Sequence, residues 1–149
     1  MIRKMMVVGD KFVNFTQHEN VVTVAQLEML IKIPSNVISD NTEFIPGQGI
    51  CQDSLSTIVK NRSTNEKINL NSLVGYASEK KNSYSHKKLK SNTLIGSCSQ
   101  ISNSMFSLPL IINENSELMS DHQTGQHVQG MILVEASRQA FIAVTEEFL

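Results

Sequence analysis

The chain of 149 residues has room for one domain of ordinary size, or for one core with a small additional segment, but not for two full-sized domains. Hydrophobic residues make up 40% of it, charged residues make up 18%, and the formal net charge is -1. This composition is that of an ordinary soluble globular protein, and its balanced charge gives no electrostatic reason to expect nucleic acid as a partner.

The sequence shows no targeting or membrane signal. The short apolar run of residues 1–8 lacks the length and the small-residue cleavage site of a signal peptide, and no segment reaches membrane-spanning length. Cys51 and Cys98 show neither the spacing of a zinc site nor that of a disulfide framework, so we expect both to be reduced and structural. The expected location is the cytoplasm, without membrane contact.

The first half of the chain predicts a small N-terminal α/β segment. Residues 5–10 predict a short strand closed by a turn, and Thr23 is the predicted N-cap of a helix over residues 24–31. A second helix is predicted over residues 53–60. The glycines around residue 48 indicate a turn rather than a dinucleotide fingerprint, so no cofactor is expected. Residues 1–77 form the predicted N-terminal module, whose role the composition leaves open.

Residues 78–91 are hydrophilic and predict a polar linker. Five lysines cluster there beside a single aromatic residue, Tyr84, which indicates a solvated segment; a phosphate contact is the minority alternative. These lysines are Lys80, Lys81, Lys87, Lys88 and Lys90.

Beyond the linker the pattern changes to strands and then to one long helix. Residues 92–99 and 105–112 predict an antiparallel hairpin, in which Pro109 requires the second strand to be an edge, bulged or shorter. Residues 131–148 predict a helix that is apolar almost all round. Such a helix must be buried on most sides, and a sheet wrapped around one central helix achieves this economically.

Three polar residues interrupt this apolar helix on one face. Glu135, Arg138 and Gln139 stand at positions i, i+3 and i+4, so their side chains lie within mutual reach. Because a buried charge pair is costly unless its partners are well arranged, the trio is either a structural ion pair or part of a site.

Gly130 begins the helix, where free N–H groups and the positive end of the helix dipole point outward. These groups suit a thioester carbonyl oxygen that gains negative charge, while a nearby Glu or His removes a proton. His122 and His127 lie in the loop before this glycine, with simple hydrogen bonding as the alternative role. The spacing of Asp121, His122 and His127 matches no common metal site, so no metal is expected.

Residues 127–140, HVQGMILVEASRQA, resemble the signature of the A-factor biosynthesis (AfsA-like) hotdog family. In that family a D-H…H-V-P-G-M segment precedes an E-A-x-R-Q helix; here Gln129 replaces the proline. Upstream, Ser85-His86-Lys87 and the following strand are similar to the V-H-K…V-L-V opening of a hotdog unit. The pattern is also similar to that of hydroxyacyl-carrier-protein dehydratases. The resemblance covers the chain from about residue 85 onward.

The resemblance implies an α+β protein with a hotdog fold, an antiparallel sheet around a long central helix. Residues 92–149 would be the N-terminal half of that domain, because a hotdog unit continues with further strands after its helix. We therefore expect a domain that is incomplete at the C-terminus, either as a fragment or because a partner chain completes the sheet. Hotdog units of this class pair, so a homodimer or paired units are expected.

The family's activity implies transfer of a β-ketoacyl group from an acyl-carrier-protein or acyl-CoA thioester to a hydroxyl of a small phosphorylated acceptor, dihydroxyacetone phosphate. Glu135 would be the general base or an orienting carboxylate, Arg138 would hold that carboxylate or the substrate phosphate, and His127 would orient the thioester. The further substrate-binding candidates are Gly130, Met131, His122 and Gln139. The alternatives are a hotdog dehydratase or thioesterase, and a noncatalytic acyl-binding or assembly module.

Overall fold

The structure is a computed structural model that describes residues 2–61, 65–120 and 125–149. The chain is a mixed α/β protein that divides into two compact units. Unit 1 comprises Met1–Ser78 and Gln123–His127, and unit 2 comprises Glu79–His122 and Val128–Leu149. None of the helices in the described residues is long and apolar enough to cross a membrane.

Unit 1 is built on a parallel sheet. Its strands are β1 (Ile2–Val8), β2 (Val21–Thr23), β3 (Asn41–Pro46) and β4 (Ile68–Asn69). Its α-helices are α1 (Val24–Leu30), α2 (Gln52–Lys60) and α3 (Asn71–Ser78), and a 3-10 helix, Asp10–Gln17, follows β1. The strand order is β2-β1-β3-β4 with every pair parallel. The connection after β1 leads to β2 at one edge of the sheet, and the connection after β3 leads to β4 at the other edge, so these two connections diverge.

Both helices predicted in unit 1 are confirmed, and a local interaction explains where the first one begins. The Thr23 hydroxyl accepts a hydrogen bond from the Gln26 backbone N–H (3.2 Å), and the Gln26 side chain accepts one from the Thr23 N–H (2.9 Å). This capping box satisfies two N–H groups that the first turn leaves without helical partners. Helix α2 begins one residue before the predicted stretch and ends at the same lysine.

Strand β3 lies in a stretch that the sequence does not mark as a strand. Only Thr42 and Phe44 of its six residues are buried, and the residues around it are polar. The strand forms because it pairs with β1 along its whole length, from Asn41 to Pro46. Phe44 then joins the apolar core of unit 1 with side chains such as Val7 and Leu27. Strand propensity is strongly context-dependent, and here the tertiary pairing decides.

Unit 2 contains the long helix α4 (Gly130–Phe148) and a hairpin of β5 (Ser99–Ser102) and β6 (Met105–Ser107). The predicted antiparallel hairpin is confirmed, but β5 is shifted into the polar residues that the sequence assigned to the loop, and β6 covers only the first three residues of the predicted second strand. Strand β6 ends before Pro109, as the proline rule requires. The register of the hairpin shifts between Gln100 and Ser102. The described residues of unit 2 also form three short 3-10 helices: Ser83–Ser85, Lys90–Asn92 and Glu117–Met119.

Helix α4 is confirmed, but the expectation that most of its sides are buried is wrong for the described residues. One stripe is buried and consists of Ile132, Ala136, Gln139 and Ala143. On other sides Met131, Val134 and Phe141 are 70%, 59% and 74% exposed. Strands β5 and β6 have only four and three residues, too little sheet to wrap a helix of 19 residues.

Two polar residues of the stretch after Ser78 are packed within unit 2. Asn82 and Ser85 are buried; the Asn82 N–H donates to the Ile95 carbonyl (3.0 Å), and the hydroxyls of Ser85 and Thr93 lie 3.2 Å apart. These polar residues thus form hydrogen bonds inside the unit.

Candidate functional site

The centre of the candidate site is the Glu135 carboxylate on α4. The Arg138 guanidinium donates two parallel hydrogen bonds to it, from Nε to Oε2 and from Nη2 to Oε1, each of 2.8 Å. The Gln139 side chain donates to Oε1 at 3.0 Å. The prediction that these three side chains meet on one helix face is therefore confirmed, and the Arg–carboxylate pair is bidentate.

Lys87 is a member of this cluster that the sequence did not select. Its Nζ lies 2.8 Å from Glu135 Oε1, and the two side chains are only 25% and 18% exposed. The preceding residue, His86, pairs with a second carboxylate of α4, with Nε2 2.6 Å from Glu146 Oε1. The side chains of these two consecutive residues thus both contact carboxylates of α4. The Ser85-His86-Lys87 resemblance was the signal that pointed to this segment.

Gln139 joins the helix to the chain before the hairpin. Its side chain is completely buried; its oxygen accepts from the Leu94 N–H (2.9 Å), and its amide nitrogen donates to the Asn92 carbonyl (3.0 Å) as well as to Glu135. A side-chain amide used this fully has its hydrogen-bonding capacity satisfied by the protein. Gln139 therefore fixes the position of Glu135 relative to residues 92–94.

The electrostatics of the cluster favour an ionised Glu135. The hydrogen bonds from Arg138, and after them those from Lys87 and Gln139, hold the pKa of this carboxyl far below its usual range, although burial acts in the opposite direction. The same carboxylate raises the pKa of Arg138. A carboxylate with so low a pKa is a weak proton acceptor, and it is well suited to orienting two cations.

Gly130 begins α4 in open space. A Cβ built on it meets no heavy atom within 4 Å, and its neighbour Met131 is exposed. The first N–H groups of the helix are thus placed where a carbonyl oxygen of a ligand has room to approach them. Glu135 stands about 7.5 Å further along the helix axis.

Of the two predicted histidines, the structure describes only His127. His122, like Asp121, lies outside the described residues. His127 is exposed and belongs by its contacts to unit 1, whereas the Glu135 cluster belongs to unit 2.

The comparisons with known proteins assign the segment that carries this cluster. Residues 77–149, just under half of the chain, match a family model, that of AfsA, the A-factor biosynthesis hotdog domain. The resemblance seen in the sequence is thereby confirmed, and it includes Lys87 as well as Glu135 and Arg138. No curated protein and no solved structure matches the chain.

Proposed function

We propose that the protein is an acyltransferase that moves a β-ketoacyl group from an acyl-carrier-protein or acyl-CoA thioester to a hydroxyl of dihydroxyacetone phosphate. The observation that carries the proposal is the cluster of two cations on one partly buried carboxylate, located inside the segment that matches the AfsA family model. The family's name supports a role in making A-factor-type signals.

Arg138 and Lys87 are the proposed binding groups for the phosphate of the acceptor. With Glu135 they leave one net positive charge, and the Arg138 side chain is 46% exposed. Glu135 engages only part of the guanidinium donors, so N–H groups remain for bidentate contact with phosphate oxygens. A neutral acyl acceptor would have no use for this charge.

Glu135 acts in this proposal as the orienting carboxylate, not as the general base. Its depressed pKa and its four hydrogen-bond or ion-pair contacts disfavour proton uptake. His127 is the proposed proton acceptor, because imidazole is the usual general base near neutral pH. Gln139 is a positioning residue that sets the carboxylate.

The reaction balances with these groups. The acceptor hydroxyl oxygen attacks the thioester carbonyl carbon and gives its proton to His127. The backbone N–H groups at Gly130 stabilise the oxyanion that develops. The carbon–sulfur bond then breaks, and the leaving thiolate takes the proton from the imidazolium, so that an ester and a free thiol result.

Intact-mass spectrometry of β-ketoacyl-carrier protein, with and without dihydroxyacetone phosphate, tests this function. Acceptor-dependent loss of the acyl mass is the expected result. Acceptor-independent hydrolysis would refute the transferase and indicate the thioesterase alternative. Lys87→Met should raise the acceptor KM, because a cation is lost from the phosphate site. Lys88→Met is the matched control, since Lys88 is exposed and one residue away.

We also propose that the protein works as a homodimer or as paired hotdog units. The exposed apolar side chains of α4, Met131, Val134 and Phe141, support this. Contiguous apolar surface is costly in water and commonly marks an interface.

A further inference from the structure

The loops that leave β1 and β3 meet at the carboxyl edge of the unit 1 sheet. The Gly47 N–H donates to the Val7 carbonyl (2.7 Å), and the Gly9 N–H donates to the Gln48 carbonyl (2.9 Å). A Cβ on Gly47 would lie 2.7 Å from the Val7 carbonyl oxygen, so this close approach requires glycine. The backbone of Gln48 is thus fixed at the crevice between two strands whose connections diverge, the usual binding position of such sheets.

This edge of unit 1 holds a segment that is 78 positions away in sequence. The Gln48 side chain donates from Nε2 to the Gln126 carbonyl at 2.6 Å, and the Phe15 N–H donates to the Gly125 carbonyl at 3.1 Å. Gly125 is buried with φ +71°, and a Cβ on it would lie 2.6 Å from Asn14 Nδ2. Two consecutive carbonyls are therefore held, and the glycine permits the conformation.

We infer that unit 1 holds the loop that carries His127, and that Gln48 is a positioning residue for this histidine. The part concerning turnover rests on the proposed role of His127. Gln126 immediately precedes His127, so fixing its carbonyl restricts the backbone from which the imidazole projects. A catalytic group that is held in place before the reaction loses less entropy in the transition state. The N-terminal half of the chain thereby gains a function that its composition does not indicate.

The test uses two substitutions of the full chain that differ in donor capacity. Gln48→Glu keeps the size of the side chain but places an acceptor opposite the Gln126 carbonyl, whereas Gln48→Lys keeps a donor. Hydrogen–deuterium exchange of the amides of residues 126–129 should rise about three- to tenfold in Gln48→Glu, the range expected for one lost hydrogen bond. It should stay near the wild-type rate in Gln48→Lys. The kcat/KM for acyl transfer should fall in Gln48→Glu and stay near the wild-type value in Gln48→Lys. The decrease in Gln48→Glu should appear in kcat and not in KM.

A control variant removes an equivalent bond elsewhere in unit 1. The Thr16 hydroxyl donates to the Val13 carbonyl at 2.7 Å, and Thr16→Val should change neither the exchange of residues 126–129 nor the turnover. If Gln48→Glu does not fold, Gly125→Ala provides the second test, because φ +71° is strained for alanine.

The outcomes separate this inference from the proposed function. Unchanged exchange in Gln48→Glu would overturn the inference. Faster exchange with full turnover would overturn the positioning role. If His127→Ala retains full activity, the proposed proton acceptor is wrong, while the exchange data still decide whether unit 1 holds the loop.

Discussion

Replacing Glu135 with glutamine should destabilise unit 2 by about 2 kcal/mol at pH 7. The variant loses the charge that the part-buried Lys87 and Gln139 contact, and hydrogen bonds to charged groups contribute about 1.5–3 kcal/mol. The pair with the more exposed Arg138 adds only about 0.3–0.5 kcal/mol. Glutamine retains an acceptor for one donor, which offsets part of the loss.

The lowered pKa of Glu135 also determines how the stability of unit 2 changes with pH. The pKa of Glu135 is lowered in the folded state from the ordinary value of 4.5. Below pH 4.5 the unfolded chain therefore binds a proton that the folded chain does not, and stability falls as the pH decreases. The stabilising contribution is complete above that pH and is lost by up to about 1.4 kcal/mol per pH unit below it. The glutamine variant lacks this slope, so its difference from wild type should shrink between pH 4.5 and pH 3.

Urea unfolding followed by tyrosine fluorescence measures this difference. The chain has two tyrosines and no tryptophan, so in a Tyr76→Phe background Tyr84 reports on unit 2 alone. A loss under about 0.5 kcal/mol at pH 7, the level of an ordinary surface substitution, would refute the reasoning. A difference from wild type that stays constant down to pH 3 would refute it as well.

Three further results are expected. Gly130→Ala should leave the free energy of unfolding unchanged or raise it by up to about 1 kcal/mol, since alanine favours helix. The same substitution should reduce the rate of acyl transfer roughly 10- to 100-fold, because the added methyl group obstructs the N–H donors. An unreduced rate would show that Gly130 is not part of the site. Phe141→Glu should convert a dimer to a monomer in light scattering, and a monomeric wild type would contradict pairing. Burial, and then the charge of Cys51, raises the pKa of Tyr76 to about 12, so its tyrosinate absorbance in a Tyr84→Phe variant should appear only above pH 11. Stability should fall as the pH rises from about 10 towards 12, because the unfolded tyrosine ionises first.

Features set by neighbouring residues could be predicted from the sequence. The Thr23 cap, helix α4 and the meeting of Glu135 with Arg138 follow from helical spacing and capping rules. The hairpin was predicted in type but not in register, because register depends on the turn and on the packing of each face.

The similarity of residues 77–149 to the AfsA family could also be predicted from the sequence, since the resemblance depends on a short run of residue types before and within α4. The parallel sheet of unit 1, the contact of Lys87 with Glu135 and the burial of Gln139 were decided by the tertiary structure alone. So was the attachment of Gln126 to Gln48. Each of these joins residues far apart in the chain, and local periodicity carries no information on which distant partners are brought together by burial and strand pairing.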